Sequence, residues 1–505
     1  MNHALVFPIV FCIRVPSDFI SGYQAKVPTN MSTDWFTTSP VWSAKGDDHK
    51  SILLSTRNNL NPIPDVTLPD IIEKSTNFPI EFPIESVRCR QLLKNKIPKV
   101  VLEKNINSTY PVIHEHALYL CSIFLNHQVK HGNRTFYQNM SLLDFIDRLL
   151  SKRAVSFVGV RDLYMLLDGS KGVGNWESIG SGNEAPPLVL EKYLSYDEIR
   201  LSALLSVSSH TCFVNDGNRR NEGVFEEDRE KVEEDGVIIG LIGTRLPKPK
   251  VMEYREIMKT KEQNNHENGY GRFFLPTLQG KFLNFYGDES ATYDELLKKM
   301  KKANDRFVDL HDGKYFDRLM YTRRIVLSID TLLIEANERA RRVNKMAYVH
   351  VVGLGLGVWK IYTEQDKLFM DAFAQRLEFL SLTNVSDVRF AYIKHKMAGP
   401  YKHGDMVKGI KLHMVDGNPH ERLKEDDEGK LLVVSYAWDA NALPGNEFWM
   451  GSLSTSSDPA AACSTQVAEL HNWHINGKVC GGNLRVATLN GLVTFQEYQE
   501  LHKND

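Results

Sequence analysis

The sequence predicts an α/β protein with its ligand site in the carboxyl-terminal half. Two observations carry this. Residues 325–393 read as helix, strand, glycine loop, helix and strand, the order of a sheet built with right-handed crossovers. Residues 433–473 then run from an apolar strand through a turn rich in Asp, Asn and Glu into a helix of small residues. Turns at the carboxyl ends of strands in such sheets are where ligands are held.

Ile325 to Val343 spaces its apolar residues by three and four and predicts an amphipathic helix. Residues 348–359, YVHVVGLGLGVW, are β-rich and break into Gly353, Gly355 and Gly357 before Val358 and Trp359. Alternating glycines at a strand end let backbone N–H groups approach a phosphate that a side chain would block. A second helix is predicted over Asp366 to Leu380 and a further strand over Val388 to Ile393. Leu432 to Tyr436 predicts a buried strand, and Pro459 to Leu470 a helix opened by Asp458 with proline at its first position.

Between that last strand and helix lie three acids, Asp439, Glu447 and Asp458, and two carboxamides, Asn441 and Asn446. Such a gathering suits recognition of hydroxyls and amides, and acid/base chemistry. The plain alternative is structural: Asp458 caps its helix, and Asp439 and Asn441 shape a turn. Earlier in the chain, the segment 243–258 combines a strand end, a Pro-Lys-Pro loop and a helix. Arg245 and Lys248 are candidates to reach a pyrophosphate there, and Glu253 to accept from an amine or hydroxyl.

The glycine loop alone has three readings. A dinucleotide fold wants G-x-G-x-x-G opening directly into a helix, whereas this spacing is G-x-G-x-G. A methyltransferase wants acidic residues before the glycines and after the next strand, where this chain has His350, Val351 and Lys394. The third reading is the diphosphate loop of a macrodomain.

VHVVGLGLGVWK, SYAWDANALPGNEFW and DPAAACST, with IIGLIGTRLPKPKVMEYREIM at 238–258, resemble the MavL-like family over about residues 235–500. The resemblance implies a macrodomain-like three-layer α/β/α domain that binds ADP-ribose and hydrolyses its link to protein, with ubiquitin as an acceptor. It places Gly353, Gly355, Gly357 and Val358 around the diphosphate. Asp439 and Asn441 fall near the distal ribose, and Asp439, Glu447 and Asp458 become the candidate catalytic acids. No cofactor or metal is implied. A non-catalytic reader of ADP-ribose is the competing class. Three carboxyls exceed what binding an anion favours, since each repels a diphosphate. A methyltransferase is the more distant alternative.

The rest of the chain sets bounds. Its 505 residues predict more than one domain, read here as a loop-rich region 1–110, a mainly helical accessory region 111–230 and the ligand-binding domain 231–505. The first region is rich in Pro, Asn, Ser and Thr. In the second, 114–129 and 141–153 show helical spacing, 168–187 reads as a linker, and 226–235 as a solvated acidic helix face. His114, His116, His127 and His131 are too irregularly spaced for a metal site. A net charge of −2 gives no footprint for nucleic acid. No window approaches the length of a membrane span. Six scattered cysteines without a C-x-x-C pair point to a reducing, cytoplasmic setting, with the nucleus as the alternative and secretion disfavoured. The apolar run 4–13 lacks the charge and cleavage site of a secretion signal.

Overall fold

Ten strands pair into one sheet in the computed structural model, which describes residues 36–42, 48–55, 63–271, 277–300, 305–439 and 441–503. In chain order they are β1 (Tyr110–His114), β2 (Leu205–Cys212), β3 (Asp235–Leu241), β4 (Ala347–Val351), β5 (Val385–Phe390), β6 (Met406–Val407), β7 (Ile410–His413), β8 (Leu431–Ala437), β9 (Arg485–Thr488) and β10 (Gly491–Thr494). Their order across the sheet is β6-β7-β5-β4-β8-β3-β2-β1-β9-β10. The five strands β7, β5, β4, β8 and β3 are mutually parallel, so their carboxyl ends lie along one edge. Most residues of the central strands are buried, as continuous apolar runs in a parallel sheet require.

The strand order contains a reversal. From β4 the chain moves outward to β5 and β7, then returns to place β8 between β4 and β3. The crevice between the carboxyl ends of β4 and β8 is therefore the topological switch point, where open α/β sheets hold ligands. The glycine loop follows β4 and the Asp/Asn turn follows β8. Sequence placed both loops at strand ends; register makes them neighbours, with His350 opposite Val434.

Helix α1 (Arg318–Arg342) begins seven residues before its predicted start. Asp317 caps it, its carboxylate accepting from the Met320 N–H. Its buried charges are paired: Asp330 receives both arms of the Arg376 fork at 2.7 Å from across the core, and Glu335 receives Arg339, one turn on in the same helix, at 2.6 Å. Arg376 belongs to helix α2 (Gln365–Phe379), close to the predicted span.

The expected helical region 111–230 differs in composition. It supplies β1 and β2 to the sheet and a three-stranded meander over residues 156–173, alongside helices such as Glu115–His131. β2 pairs antiparallel with β3, so the sheet crosses the boundary expected at residue 230. The described part of the loop-rich region holds four short helices, at 49–54, 68–76, 89–94 and 99–107. The acidic run 226–235 forms a single 3₁₀ turn, Arg229–Lys231, before β3. The apolar run 4–13 lies outside the described residues. Cys89, Cys121, Cys212 and Cys463 are free and buried. Among the described residues no helix is long and apolar enough to cross a membrane.

One buried carboxylate joins the two ends of the described chain. Glu469 accepts from the Cys89 N–H at 2.7 Å, from the Ser75 hydroxyl at 2.5 Å and from Arg88 Nε at 3.5 Å. Glu469→Ala leaves the buried Cys89 amide and Ser75 hydroxyl without their acceptor and Arg88 with Glu85 as its one carboxylate. It should cost on the order of 3 kcal/mol, measured by denaturant unfolding, with Glu469→Gln costing clearly less.

Candidate active site

The turn after β8 is closed by its own tryptophans. The Trp438 indole N–H donates to the Ala442 carbonyl at 3.0 Å, and that of Trp449 to the Pro444 carbonyl at 2.8 Å. Both indoles are buried, so each ring anchors one limb of the loop in the core while its N–H folds the limb back. Gly445 at φ +105° and Asn446 at φ 41° make the sharp bend between them, conformations that glycine and asparagine tolerate best. The Arg153 guanidinium lies 4.1 Å over the Trp438 ring.

Asp458 holds the loop from beneath. It is fully buried, and its two oxygens accept the N–H of Asp439 at 2.9 Å and the N–H of Gly445 at 2.7 Å. It lies in the first turn of helix α3 (Ser457–Ser464), yet it does not cap that helix. The helix is shorter than predicted and is followed by a separate turn, Val467–Leu470. Pro459 falls in the first turn, where its missing N–H costs no hydrogen bond.

Asp439 and Glu447 are half-buried at the mouth of the loop. Ser456 joins them: its hydroxyl donates to Asp439 Oδ2 at 2.8 Å and lies 3.5 Å from Glu447 Oε2. The serine occupies the cap position of α3 but makes no side-chain cap bond. Sequence reading missed it, having given the opening of this helix to Asp458. Burial pushes the Asp439 carboxyl up to about 6, against the pull of hydrogen bonds from Ser456 and Glu447. Burial first and the charge of Asp439 second push Glu447 up to about 8. Asp458 is also raised, by burial and then by Asp439.

The two asparagines serve differently. Asn446 Oδ1 accepts from the Phe157 N–H at 2.8 Å and the Ser156 hydroxyl at 3.0 Å, which ties the loop to the meander. Its Oδ1 thus acts as a strut, while its side chain also hydrogen-bonds the Asp439 carboxyl. Asn441 is fully buried, and neither its Oδ1 nor its Nδ2 has a protein partner. An unpaired buried amide is costly, so Asn441 is the better candidate to meet a ligand.

The glycines also divide. Gly355 sits at φ +72°, and a Cβ there would lie 3.0 Å from the Thr244 backbone nitrogen. A Cβ on Gly243 would come within 2.4 Å of the Gly355 nitrogen. These two glycines let the loops after β3 and β4 touch through bare backbone, which is a packing requirement. Gly357 has nothing within 4 Å of its missing Cβ and lines a cavity of about 460 Å³, and Val358 is 82% exposed beside it. Gly353 faces only its own loop, through Leu356.

Arg245 corrects an expectation. Its buried guanidinium is locked to Glu253 through Nε and Nη2, each at 2.8 Å, and Nη2 also donates to the Ile199 carbonyl. Arg324 from α1 reaches the same carboxylate and the Ile242 carbonyl. Arg245 and Glu253 therefore brace the loop after β3, with only Nη1 of the guanidinium lacking a protein partner. Lys248 pairs with Asp162 and with the Tyr196 hydroxyl. Among the described residues no His, Cys, Asp and Glu side chains group as a metal site.

These placements give an expected outcome for Asp458→Asn. An amide has one acceptor where the loop supplies two N–H donors, so its NH₂ would face a backbone N–H. Stability should fall by about 1–3 kcal/mol, read as a lowered melting temperature. Retained stability would show that the loop does not depend on this carboxylate.

The family model described as ADP-ribosylhydrolase MavL-like matches residues 69–501. ADP-ribosylarginine hydrolase CG2909 of Drosophila melanogaster is 39% identical over 495 residues, spanning 93% of this chain and 98% of that protein. ADP-ribosylarginine hydrolase CG3568 of the same organism is 39% identical over 459 residues, spanning 86% and 89%. The match reaches well upstream of the segment 235–500 that carried the resemblance in sequence, as the shared sheet requires. The chain belongs to the MavL-like ADP-ribosylhydrolase family.

Proposed function

We propose that the protein hydrolyses the N-glycosidic bond between ADP-ribose and an arginine side chain of a modified protein. The observation that carries this is the pair Asp439 and Glu447 at the switch point, two hydrogen-bonded carboxyls pushed to opposite sides of neutrality. The family and the names of its fly relatives support the linkage. Ubiquitin is the acceptor implied by the sequence resemblance and the first to test. We read the parallel strands around the switch point as a macrodomain-like core, with the diphosphate against Gly357 and Val358 and the distal ribose near Asn441.

Near pH 7 the Asp439 carboxyl is mostly ionised and that of Glu447 mostly protonated. Separated titrations of this kind divide the acid and base roles. Asp439 stabilises the oxocarbenium-like ribose and takes a proton from the attacking water. The C–N bond breaks, and Glu447 gives its proton to the departing guanidine nitrogen. Arginine and ADP-ribose are the products. The Ser456 hydroxyl, between the two carboxyls, is placed to return the proton from one to the other. Asp458 touches neither reacting atom and acts by holding the loop.

Hydrolysis is tested by release of ADP-ribose from an arginine-modified protein, with chelator present and without effect. Asp439→Asn and Glu447→Gln should each slow turnover by about a hundredfold or more while retaining ADP-ribose affinity. Binding without turnover on arginine, serine and acidic linkages would establish a reader instead.

The pH dependence follows from the same pair. Activity requires Asp439 ionised and Glu447 protonated, so kcat/KM should be bell-shaped with limbs near about 6 and about 8. Glu447→Gln should remove the alkaline limb from the residual rate. Stability runs one way only. Carboxyls raised above their unfolded values stabilise the fold fully below those values, near about 4. That contribution is lost as pH rises through about 6 and about 8. Melting temperature should fall across that window, and fall less in the Asp439→Asn, Glu447→Gln double variant.

A further inference from the structure

An acceptor protein whose arginine is cut between Asp439 and Glu447 lies within one arginine side chain of those acids. It must therefore rest on the rim around Ser456, the residue that joins them. The placement rests on the function proposed above and on the length of an arginine side chain, whatever course the nucleotide takes. Thr455, next to Ser456, is exposed on that rim. Its carbonyl accepts from Nη2 of Arg219, a residue 236 positions upstream.

Arg219 belongs to the loop DGNRRNEG, 216–223, which follows β2. The loop is pinned to helix α3, the helix that begins directly after Ser456. The buried Asn215 amide donates to the Val224 carbonyl at 3.0 Å and to the Cys463 carbonyl at 3.4 Å, and the Asn221 amide to the Ala460 carbonyl at 3.1 Å. Within the loop, Asn218 Oδ1 accepts from the Arg220 N–H and Asp216 Oδ1 from the Asn218 N–H, each at 2.9 Å. Bonds of this kind shape a turn through its own side chains. The backbone beneath the two arginines is thus set before any partner arrives, which lowers the ordering cost of binding.

The charges on this platform differ in what they can offer. The Asp216 carboxylate is taken up by the Asn218 N–H and by Nδ2 of Asn418, the latter at 2.7 Å. Glu222 is exposed, beyond Asn221. Arg219 and Arg220 are exposed and enter no ion pair among the described residues. Exposed arginines are ordinary by themselves. Here one of them is bonded to the residue beside Ser456, and the scissile side chain brings the acceptor against it. Guanidinium forks match carboxylates in two-point contacts, and arginine is enriched in protein interfaces.

We propose that the loop 216–223 is the docking surface for the modified protein, with Arg219 and Arg220 pairing with carboxylates that flank the acceptor arginine. Neither arginine touches the reacting atoms. Both act on which acceptor is held, so their loss should raise KM for acidic acceptors.

The experiment gives the full-length protein three substrates. One is ADP-ribosylarginine; the others are synthetic peptides with one ADP-ribosylated arginine flanked by aspartates or by lysines. Wild type should favour the aspartate peptide over the lysine peptide by about tenfold in kcat/KM at low ionic strength, and added salt should shrink that ratio. Arg219→Glu and Arg220→Glu should each lower the ratio by about threefold to fivefold, through KM. Arg220→Glu changes an exposed side chain with no bond of its own among the described residues, so its result stands even if Arg219→Glu disturbs the rim. Equal rates on the two peptides, or a preference that both variants keep, overturn the docking surface, and cleavage of ADP-ribosylarginine then leaves the hydrolase reading standing. Calorimetric titration with free ADP-ribose separates the nucleotide from the acceptor. If the glutamate variants weaken it as much as they weaken the aspartate peptide, the arginines serve the phosphates and the proposal fails. A wild type that cleaves none of the three substrates overturns both readings.

Discussion

Two backbone amides donate to one buried carboxylate, and the arrangement of the candidate active-site loop depends on that contact. Asp458 accepts from Asp439 and from Gly445, six residues apart along the loop. A single acceptor could fix one limb; a carboxylate with two free oxygens fixes both and sets the distance between them. That distance places the Asp439 side chain beside Glu447, which follows Gly445 by two positions. Burying a carboxylate is expensive unless its oxygens are satisfied, and here the loop's own amides satisfy them. The cost and its compensation thus sit in the same few residues, and neither survives without the other. The same burial raises the three carboxyls, so one geometric device supplies both placement and tuned acidity.

Around that loop the molecule is built by close backbone approach. Gly243 and Gly355 bring the ends of β3 and β4 together with no side chain between them, and Ser435 bonds the first residue of the glycine loop by accepting from the Val352 N–H at 3.1 Å. Arg324 reaches from α1 to the Ile242 carbonyl and to Glu253. Three loops from three strands are therefore fixed from the core side, leaving Gly357 and Val358 turned outward. Rigid support beneath and open backbone above is what a site needs to bind without reorganising.

The parts of this design that were legible in sequence are those where residue type and local geometry coincide. Apolar strands ending in glycine, and a strand ending in an Asp-x-Asn turn, can be read because period and breaker residues are local signals. Their meeting at one crevice was not readable, since it depends on β8 returning between β4 and β3. Arg245 looked like a phosphate ligand because an arginine near a loop carries no local mark of its partner; only the fold brings Glu253 against it. Ser456 was hidden because the opening of its helix had been given to Asp458, two residues on, whereas the structure starts the helix at Ser457. Asn446 and Asn441 are chemically identical in sequence; the fold alone gives Asn446 partners in Ser156, Phe157 and Asp439 and leaves the Asn441 amide unpaired. The acidic run 226–235 had helical composition, but β3 begins within it and the antiparallel pairing with β2 decides its conformation.

Sheet continuity also explains why the candidate site and the segment before residue 231 belong to one family match. Leu443 of the active-site loop donates to the Ala154 carbonyl at 2.9 Å, and the Ala154 N–H donates back to the Asn441 carbonyl at 3.2 Å. With Asn446 on Ser156 and Phe157, the meander forms one wall of the loop that carries Asp439 and Glu447. At the other end, Glu469 just beyond α3 is bound to residues 75–89. A loop whose two flanks are held by segments hundreds of positions upstream cannot be excised as a free-standing ligand-binding unit. The early strands and helices, which offered no motif of their own, act by fixing the distance between two carboxyls.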